Sequence, residues 1–369
     1  MTLGLSRRTS FAAVAACLCA AAAANACAHL GVAKSSDHLV SAKERLAAIR
    51  HAKVWTATDV PSMDLRTGPR GHGAFAPRET VTCDYVQKKM DGNTPKFECA
   101  LAPDDQVKVK FGRENGEVFA EVAATRLFWA LGFGADRMYP VRVVCRGCPV
   151  ELGGTPVAAQ GMVFEYAAIE RKMAGREIVA KGVTGWAWPE LDLVDQSAGG
   201  ATPAERDALK LLAVFIQHTD NKSEQQRLVC LDKSATKNVH ACEETFMMVN
   251  DLGTTFGQAS FFNRSSVSGA NLHEWSKVDV WKDAKQCIAN LPKSVTGTLE
   301  NPRISEEGRR FLADRLAQLT DAQLHDLFDV SRFPDRALPG EKPGSTGSVD
   351  EWVDAFKRKR AAIVETACP

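Results

Sequence analysis

Apolar and polar positions alternate with period two in three early stretches, Thr80 to Val86, Lys96 to Leu101 and Gln106 to Phe111. That alternation predicts three strands, with a turn at Asp104-Asp105 between the second and third. From Glu117 the period changes. Val118, Val122, Ala123, Leu127 and Leu131 recur at helical spacing and Gly132 supplies a stop, so the segment reads as a helix. Met138 to Val144 and Gln160 to Tyr166 predict two more strands, and the character changes after Ala167. Pro203 to His218 is a strongly apolar helix, followed by strands around Arg227 to Leu231 and Thr245 to Val249. Further helices are expected at Val278 to Asn290, Ser305 to Leu316, Asp321 to Val330 and Val349 to Thr366, and a shorter one at Ser41 to His51. Strands first and helices afterwards imply an α+β fold, a strand-rich lobe followed by a mostly helical one.

The N-terminus changes this picture. Arg7 and Arg8 precede an apolar stretch, Phe11 to Ala24, and Ala24-Asn25-Ala26 offers the small residues a signal peptidase reads. Residues 1–26 are therefore expected to be a cleaved signal peptide, and the protein is expected to be exported, periplasmic or extracellular. Cys27 directly follows, which leaves a lipid anchor open. No later stretch is apolar enough to span a membrane. A net charge of +1 argues against a nucleic-acid binder.

Cysteines agree with export, because disulfides persist in oxidising compartments. Beyond Cys27 the chain holds Cys83, Cys99, Cys145, Cys148, Cys230, Cys242, Cys287 and Cys368. Proximity pairs Cys83 with Cys99 around the turn Met90-Asp91-Gly92-Asn93, Cys145 with Cys148, and Cys230 with Cys242. Cys287 is left with Cys368. Sequence alone does not decide the connectivity. The C-x-x-C at Cys145 has rival readings as a redox motif or a zinc half-site. Gly147 and Pro149 make it a turn, and no second ligand pair accompanies it, so a structural disulfide is expected.

Candidate chemistry lies in four separated features. Lys108 and Lys110 share one face of the third strand. Glu121 sits early in the next helix. Asp220-Asn221-Lys222-Ser223-Glu224-Gln225 follows a buried helix, and Asp251-Leu252-Gly253 follows a strand. Asp220-x-Lys222-x-x-Gln225 resembles the catalytic loop of protein kinases, Asp-x-Lys-x-x-Asn. Asp251-Leu252-Gly253 resembles their metal-binding Asp-Phe-Gly. Gly92-Asn93-Thr94-Pro95-Lys96 resembles the phosphate loop of the HipA-like bacterial toxin kinases, and Glu165-Tyr166-Ala167 falls where a hinge between lobes would lie. The resemblance covers residues 80 to about 260 as a sparse ordered pattern.

It implies a bilobal protein-kinase-like fold, with an N-lobe over residues 80–168 and a C-lobe over 169–331. An N-terminal helix and loop extension (27–79) precedes them, and a linker (332–348) and a C-terminal helix (349–369) follow. By the same resemblance Asp220 would orient or deprotonate an accepting hydroxyl, and Lys222 would steady the transferring phosphoryl group. Asp251 and Gln225 would hold Mg²⁺ or Mn²⁺. Lys110, with Gly92 and Lys96, would hold the phosphates of ATP, and Glu121 would orient Lys110. A lysine on a strand paired with a helical glutamate is how kinases hold nucleotide phosphates. The implied activity is phosphotransfer from ATP to a protein or a small hydroxyl compound. The alternative is an inactive, pseudokinase-like binding protein of the envelope, because Gln225 replaces the family's Asn and envelope spaces hold little ATP.

Other readings stay open beside these. Lys108 and Lys110 also fit solvent-facing strand charges, and which of them meets phosphate is undecided. Asp220 fits a turn after a helix. Trp186 and Trp188 read as packing, and Gly68, Gly71 and Gly73 lack the strand a phosphate loop needs. Lys357-Arg358-Lys359-Arg360 reads as a solvated helix face.

Overall fold

The computed structural model describes residues 39–149, 151–152, 155–156, 163–232, 242–259, 261–262, 269–341 and 344–369. The expected signal peptide and Cys27 lie outside them. The architecture is mixed α and β. Five strands close into a barrel: β1 (Thr80–Val86), β2 (Lys96–Ala102), β3 (Asp105–Phe111), β4 (Arg137–Arg146) and β5 (Val163–Arg171), in the order β1-β2-β3-β5-β4. Neighbours are antiparallel except at the closing seam, where β1 and β4 run parallel with Cys83 opposite Cys145. The period-two pattern is the cause. Phe97 and Cys99 of β2, Val107, Val109 and Phe111 of β3, and Tyr139, Val141 and Val143 of β4 fill the interior. Alternation then turns Lys108 and Lys110 out of the barrel, toward the helix that follows.

That helix, α2 (Gly116–Leu131), is apolar nearly all round and buried along its length, as such a helix must be. Asn115 caps its start, accepting from the Glu117 amide. Gly132 ends it at φ +88°, where an added Cβ would lie 2.1 Å from the Thr56 carbonyl. α2 belongs to the larger core rather than to the barrel interior. So do Met138 and Ala168 on the outer face of β4 and β5. The described residues fall in one compact unit.

The larger core is closed by α1 (Ala42–Arg50), α3 (Pro203–Phe215), the hairpin β6 (Gln226–Cys230) and β7 (Thr245–Val249), α4 (Leu272–Lys277), α5 (Glu306–Ala317), α6 (Asp321–Val330) and α7 (Val349–Val364). Segments 53–68 are not a loose extension. Lys53 N–H donates to the Thr245 carbonyl at 2.8 Å, and Arg126 donates to the Leu65 carbonyl at 2.6 Å.

Several expectations change. The helix expected at Val278 to Asn290 is instead a short hairpin, Trp281–Asp283 against Ile288–Ala289, preceded by α4. Cys287 sits there at φ +50°, tied to Cys368, a conformation no helix continues through. β5 runs on to Arg171 instead of stopping near Tyr166, because Ala168 and Ile169 are buried on opposite faces. Glu165-Tyr166-Ala167 is therefore mid-strand, not a hinge. Residues 332–348 are packed where described: Phe333 is buried against Phe256, Phe328 and Trp352, and Arg336 and Thr346 are inaccessible. The basic run on α7 is only partly solvated. Lys359 buries its stem, donates to the Val278 carbonyl and lies over Trp275, and Arg360 donates to the Leu319 carbonyl at 2.9 Å.

All four proximity-paired disulfides form, at Cys83–Cys99, Cys145–Cys148, Cys230–Cys242 and Cys287–Cys368, with Cα separations of 5.5 to 5.9 Å. The sulfurs of Cys230 and Cys242 with Asp232 form a metal-like cluster, but sulfurs consumed by a disulfide offer no thiolate. Trp186 and Trp188 are buried edge to face, as packing residues.

Candidate active site

Lys110 leaves β3 on its outer face and ends, fully buried, among three carboxylates. Its Nζ donates to Glu117 Oε2 at 2.9 Å and to Asp251 Oδ1 at 3.3 Å. Glu121 Oε2 lies 2.7 Å away, outside hydrogen-bond angles, so both Glu121 oxygens lack a hydrogen-bond partner among the described residues. Helical spacing explains the pairing, since residues four apart on α2 share one face. Lys108, two residues back, forms an ion pair with Glu170 of β5 instead.

Electrostatics follow from burial and charge crowding. Burial disfavours the Lys110 ammonium, yet Asp251, Glu117 and Glu121 together hold its pKa well above the usual value. Burial likewise raises Asp251, but Lys110, Lys108 and the Gly253 amide outweigh it and keep the carboxyl far below its ordinary range. Glu121 is the acid left over. Burial, aided by Asp251 and Glu170, pushes it up to about 8 against the pull of Lys110.

The second half of the site is built by two loops bonded to each other. α3 ends at Phe215, and Gln217, at φ +55°, turns the chain. Asn221, inaccessible to solvent, accepts from the Thr298 and Leu299 amides at 2.7 and 2.9 Å and donates to the His218 carbonyl at 2.9 Å. This pins the loop that presents Asp220. The Asp220 amide donates to Thr254 Oγ1 at 3.1 Å, and the Gln225 carbonyl accepts the Asn250 amide at 2.7 Å and the Asp251 amide at 3.3 Å. Asp220 Oδ2 accepts from Gln225 Nε2 at 2.9 Å and Lys222 Nζ at 3.3 Å. Asp220, Lys222, Gln225 and Asp251 thus form one contiguous group, joined to Lys110 through Asp251.

His218 is buried edge-on to Trp188, and neither ring nitrogen has a hydrogen-bond partner among the described residues. Burial lowers its pKa to about 4, against Asp220 and Asp251. It is a neutral packed histidine. Gly92, at φ +82°, lies in the turn between β1 and β2, and a Cβ there would come within 2.8 Å of Lys96 Nζ. Burial and the nearby Lys110 lower the Lys96 pKa, while Glu117 and Asp251 pull it back up. The turn is bound to the site by Thr94 Oγ1, which donates to Glu117 Oε2 at 3.1 Å.

The structure therefore brings together Lys110, Glu121, Lys96, Gly92, Asp220, Lys222, Gln225 and Asp251, and sends Lys108 to Glu170. Sequence reading missed Glu117, Thr94, Asn221 and Glu170. Glu117 carried a signal, being one helical turn before Glu121. Asn221 and Glu170 carried none, because the amides that Asn221 accepts from are 77 and 78 residues away in the chain and the lysine that pairs with Glu170 is Lys108, on another strand.

No family model and no curated protein matches the chain. Among solved structures, the chain is similar to a Helicobacter pylori proinflammatory kinase, CtkA, at 11% identity and a TM-score of 0.43. The match covers 78% of this chain and 96% of that one.

Proposed function

We propose that this chain is a kinase-like phosphotransferase, exported, that binds ATP with Mg²⁺ or Mn²⁺ and passes a phosphoryl group to a hydroxyl of a protein or small molecule. The observation that carries it is the contact of Lys110, on the third barrel strand, with Glu121, on the next helix, and with Asp251. Strand lysine, helix glutamate and metal-binding aspartate are the parts phosphoryl transfer requires in place together. Four disulfides are compatible with export, and among the described residues no helix is long and apolar enough to cross a membrane.

The donor set suits a hard cation bound with phosphates. The Asp251 carboxylate is held ionised, its side chain is 22% exposed, and its amide donates to the Gln225 backbone carbonyl. Asp251 and Gln225 would hold the metal, which neutralises phosphate charge. Lys110 and Lys96 would bind phosphate oxygens, and Gly92 admits the Lys96 ammonium. Asp220 accepts the proton of the attacking hydroxyl as its oxygen bonds phosphorus and the bond to the leaving ADP breaks. Lys222, already on Asp220, would meet the transferring group.

A second reading has its own observation. Gln225, one methylene longer than asparagine, donates its amide nitrogen to Asp220, engaging the base (2.9 Å). A binding protein without transfer activity tolerates that contact fully, whereas in a catalyst it lowers the basicity of Asp220.

The test is thermal unfolding of the oxidised protein lacking residues 1–26, with and without ATP and Mg²⁺ or Mn²⁺, repeated for Asp251→Ala. A ligand that binds only the native state raises the midpoint. A metal-dependent rise abolished by Asp251→Ala is expected. No shift with any nucleotide sinks the nucleotide reading. A shift without phosphate transfer to any acceptor, unchanged in Asp220→Asn, selects the binding protein.

A further inference from the structure

Glu117 touches three parts of the site at once. Its Oε2 accepts from Lys110 Nζ at 2.9 Å and from Thr94 Oγ1 at 3.1 Å, and an added Cβ on Gly253 would meet its Cγ at 2.6 Å. One buried side chain therefore joins the β1–β2 turn, the strand lysine and the Asp251-Leu252-Gly253 loop. Lys110 does not need it for charge balance, having the ionised Asp251 already. An ammonium has three hydrogens to give. Two go to Glu117 and Asp251, and Glu121 Oε2 crowds the remaining side of the buried nitrogen at 2.7 Å, so a phosphate oxygen arriving at Lys110 must displace a carboxylate, Glu117 among them. Lys96, on the same side, is within electrostatic reach of Glu117 as well.

We propose that Glu117 is a latch of the nucleotide-free chain. It occupies the place on Lys110 that a phosphate oxygen takes, and through Thr94 it holds the turn carrying Gly92 down over the site. Nucleotide binding requires Glu117 to release both. A ligand that must first displace an internal competitor binds more weakly than the open site would allow. The inference rests on the nucleotide reading above and names a regulation of that same site.

The test measures binding of ATP with Mg²⁺, and of tripolyphosphate alone, to the parent, Glu117→Gln and Thr94→Val by isothermal titration. Glu117→Gln removes the competing charge and keeps the shape. It is expected to tighten both ligands by about threefold to tenfold, the net worth of one ordinary hydrogen bond, since Gln keeps a neutral acceptor for Lys110. Thr94→Val, which frees the turn without touching Lys110, should tighten them in the same direction by less. A purely structural Glu117 would lower the unfolding midpoint and leave both affinities unchanged, which overturns the latch, as does weaker binding in both variants. Should Glu117→Gln not fold, Thr94→Val decides alone. If the parent binds neither ligand, the nucleotide reading itself falls, a result distinct from any difference between parent and variants.

Discussion

Lys110 holds three carboxylates within reach, and one lysine cannot satisfy them equally. Asp251 keeps its charge and Glu121, fully buried, is the one driven up to about 8. Its ordinary value is 4.5, so the folded state binds this proton more tightly than the unfolded chain. The stability it contributes is complete below the ordinary value and lost as pH rises through about 8. Glu121→Gln removes that titration and leaves Glu117 and Asp251 on Lys110. Urea unfolding at pH 5 and pH 8 should show the variant gaining on the parent as pH rises. Parallel pH profiles would show that Glu121 is ionised throughout. Both the strand lysine and the helix acid were legible in the sequence from period and spacing. The third acid, Glu117, was not ranked, because a helical glutamate in a first turn ordinarily serves the helix dipole.

At the scale of elements, the site depends on where two loops are fastened. Asn221 satisfies the Thr298 and Leu299 amides from a buried position and so fastens the loop of residues 219–222. Asn221→Ala leaves the buried Leu299 amide without its acceptor, while the Thr298 amide keeps the Asn221 backbone carbonyl at 3.3 Å. It should cost about 1 to 3 kcal/mol of stability, the penalty for one unmet buried group. Asn221→Asp keeps the acceptor and should lose less. Equal losses in the two variants, by urea unfolding, would mean the amides find other partners. The barrel is a second lesson at this scale. Its strands follow from alternation, but its closure by the parallel β1–β4 pair does not, since the pairing of residues as far apart in the chain as Cys83 and Cys145 leaves no local trace.

For the molecule as a whole, the barrel and the helical part share α2, and the C-terminus is tied back by Cys287–Cys368 across a sequence separation of 81. Closing a loop of that length removes the most unfolded-chain entropy of the four disulfides, on the order of 4 kcal/mol in the loop-closure account. A Cys287→Ser, Cys368→Ser double variant should fall in urea midpoint by more than the corresponding Cys145, Cys148 variant, whose loop is three residues. The reverse order would place the constraint in the barrel. Buried Asp136, which takes the Met173 amide at 2.6 Å and pairs with Arg227, joins the barrel exit to β6.

The sequence by itself determined the order of most strands and helices and narrowed the candidate site to Lys108 or Lys110, Glu121, Asp220 and Asp251, because each rests on period, spacing or a short motif; it offered the disulfide pairs by proximity without deciding them. It misjudged 278–290 as helix and 332–348 as linker, where a distant disulfide and an aromatic cluster override local preference. Only the tertiary structure decided that Lys110 rather than Lys108 meets the acids, that Gln225 lies on Asp220, and that Glu117 stands on the lysine. Those outcomes depend on which outer face of the barrel α2 covers, and on contacts between loops far apart in the chain.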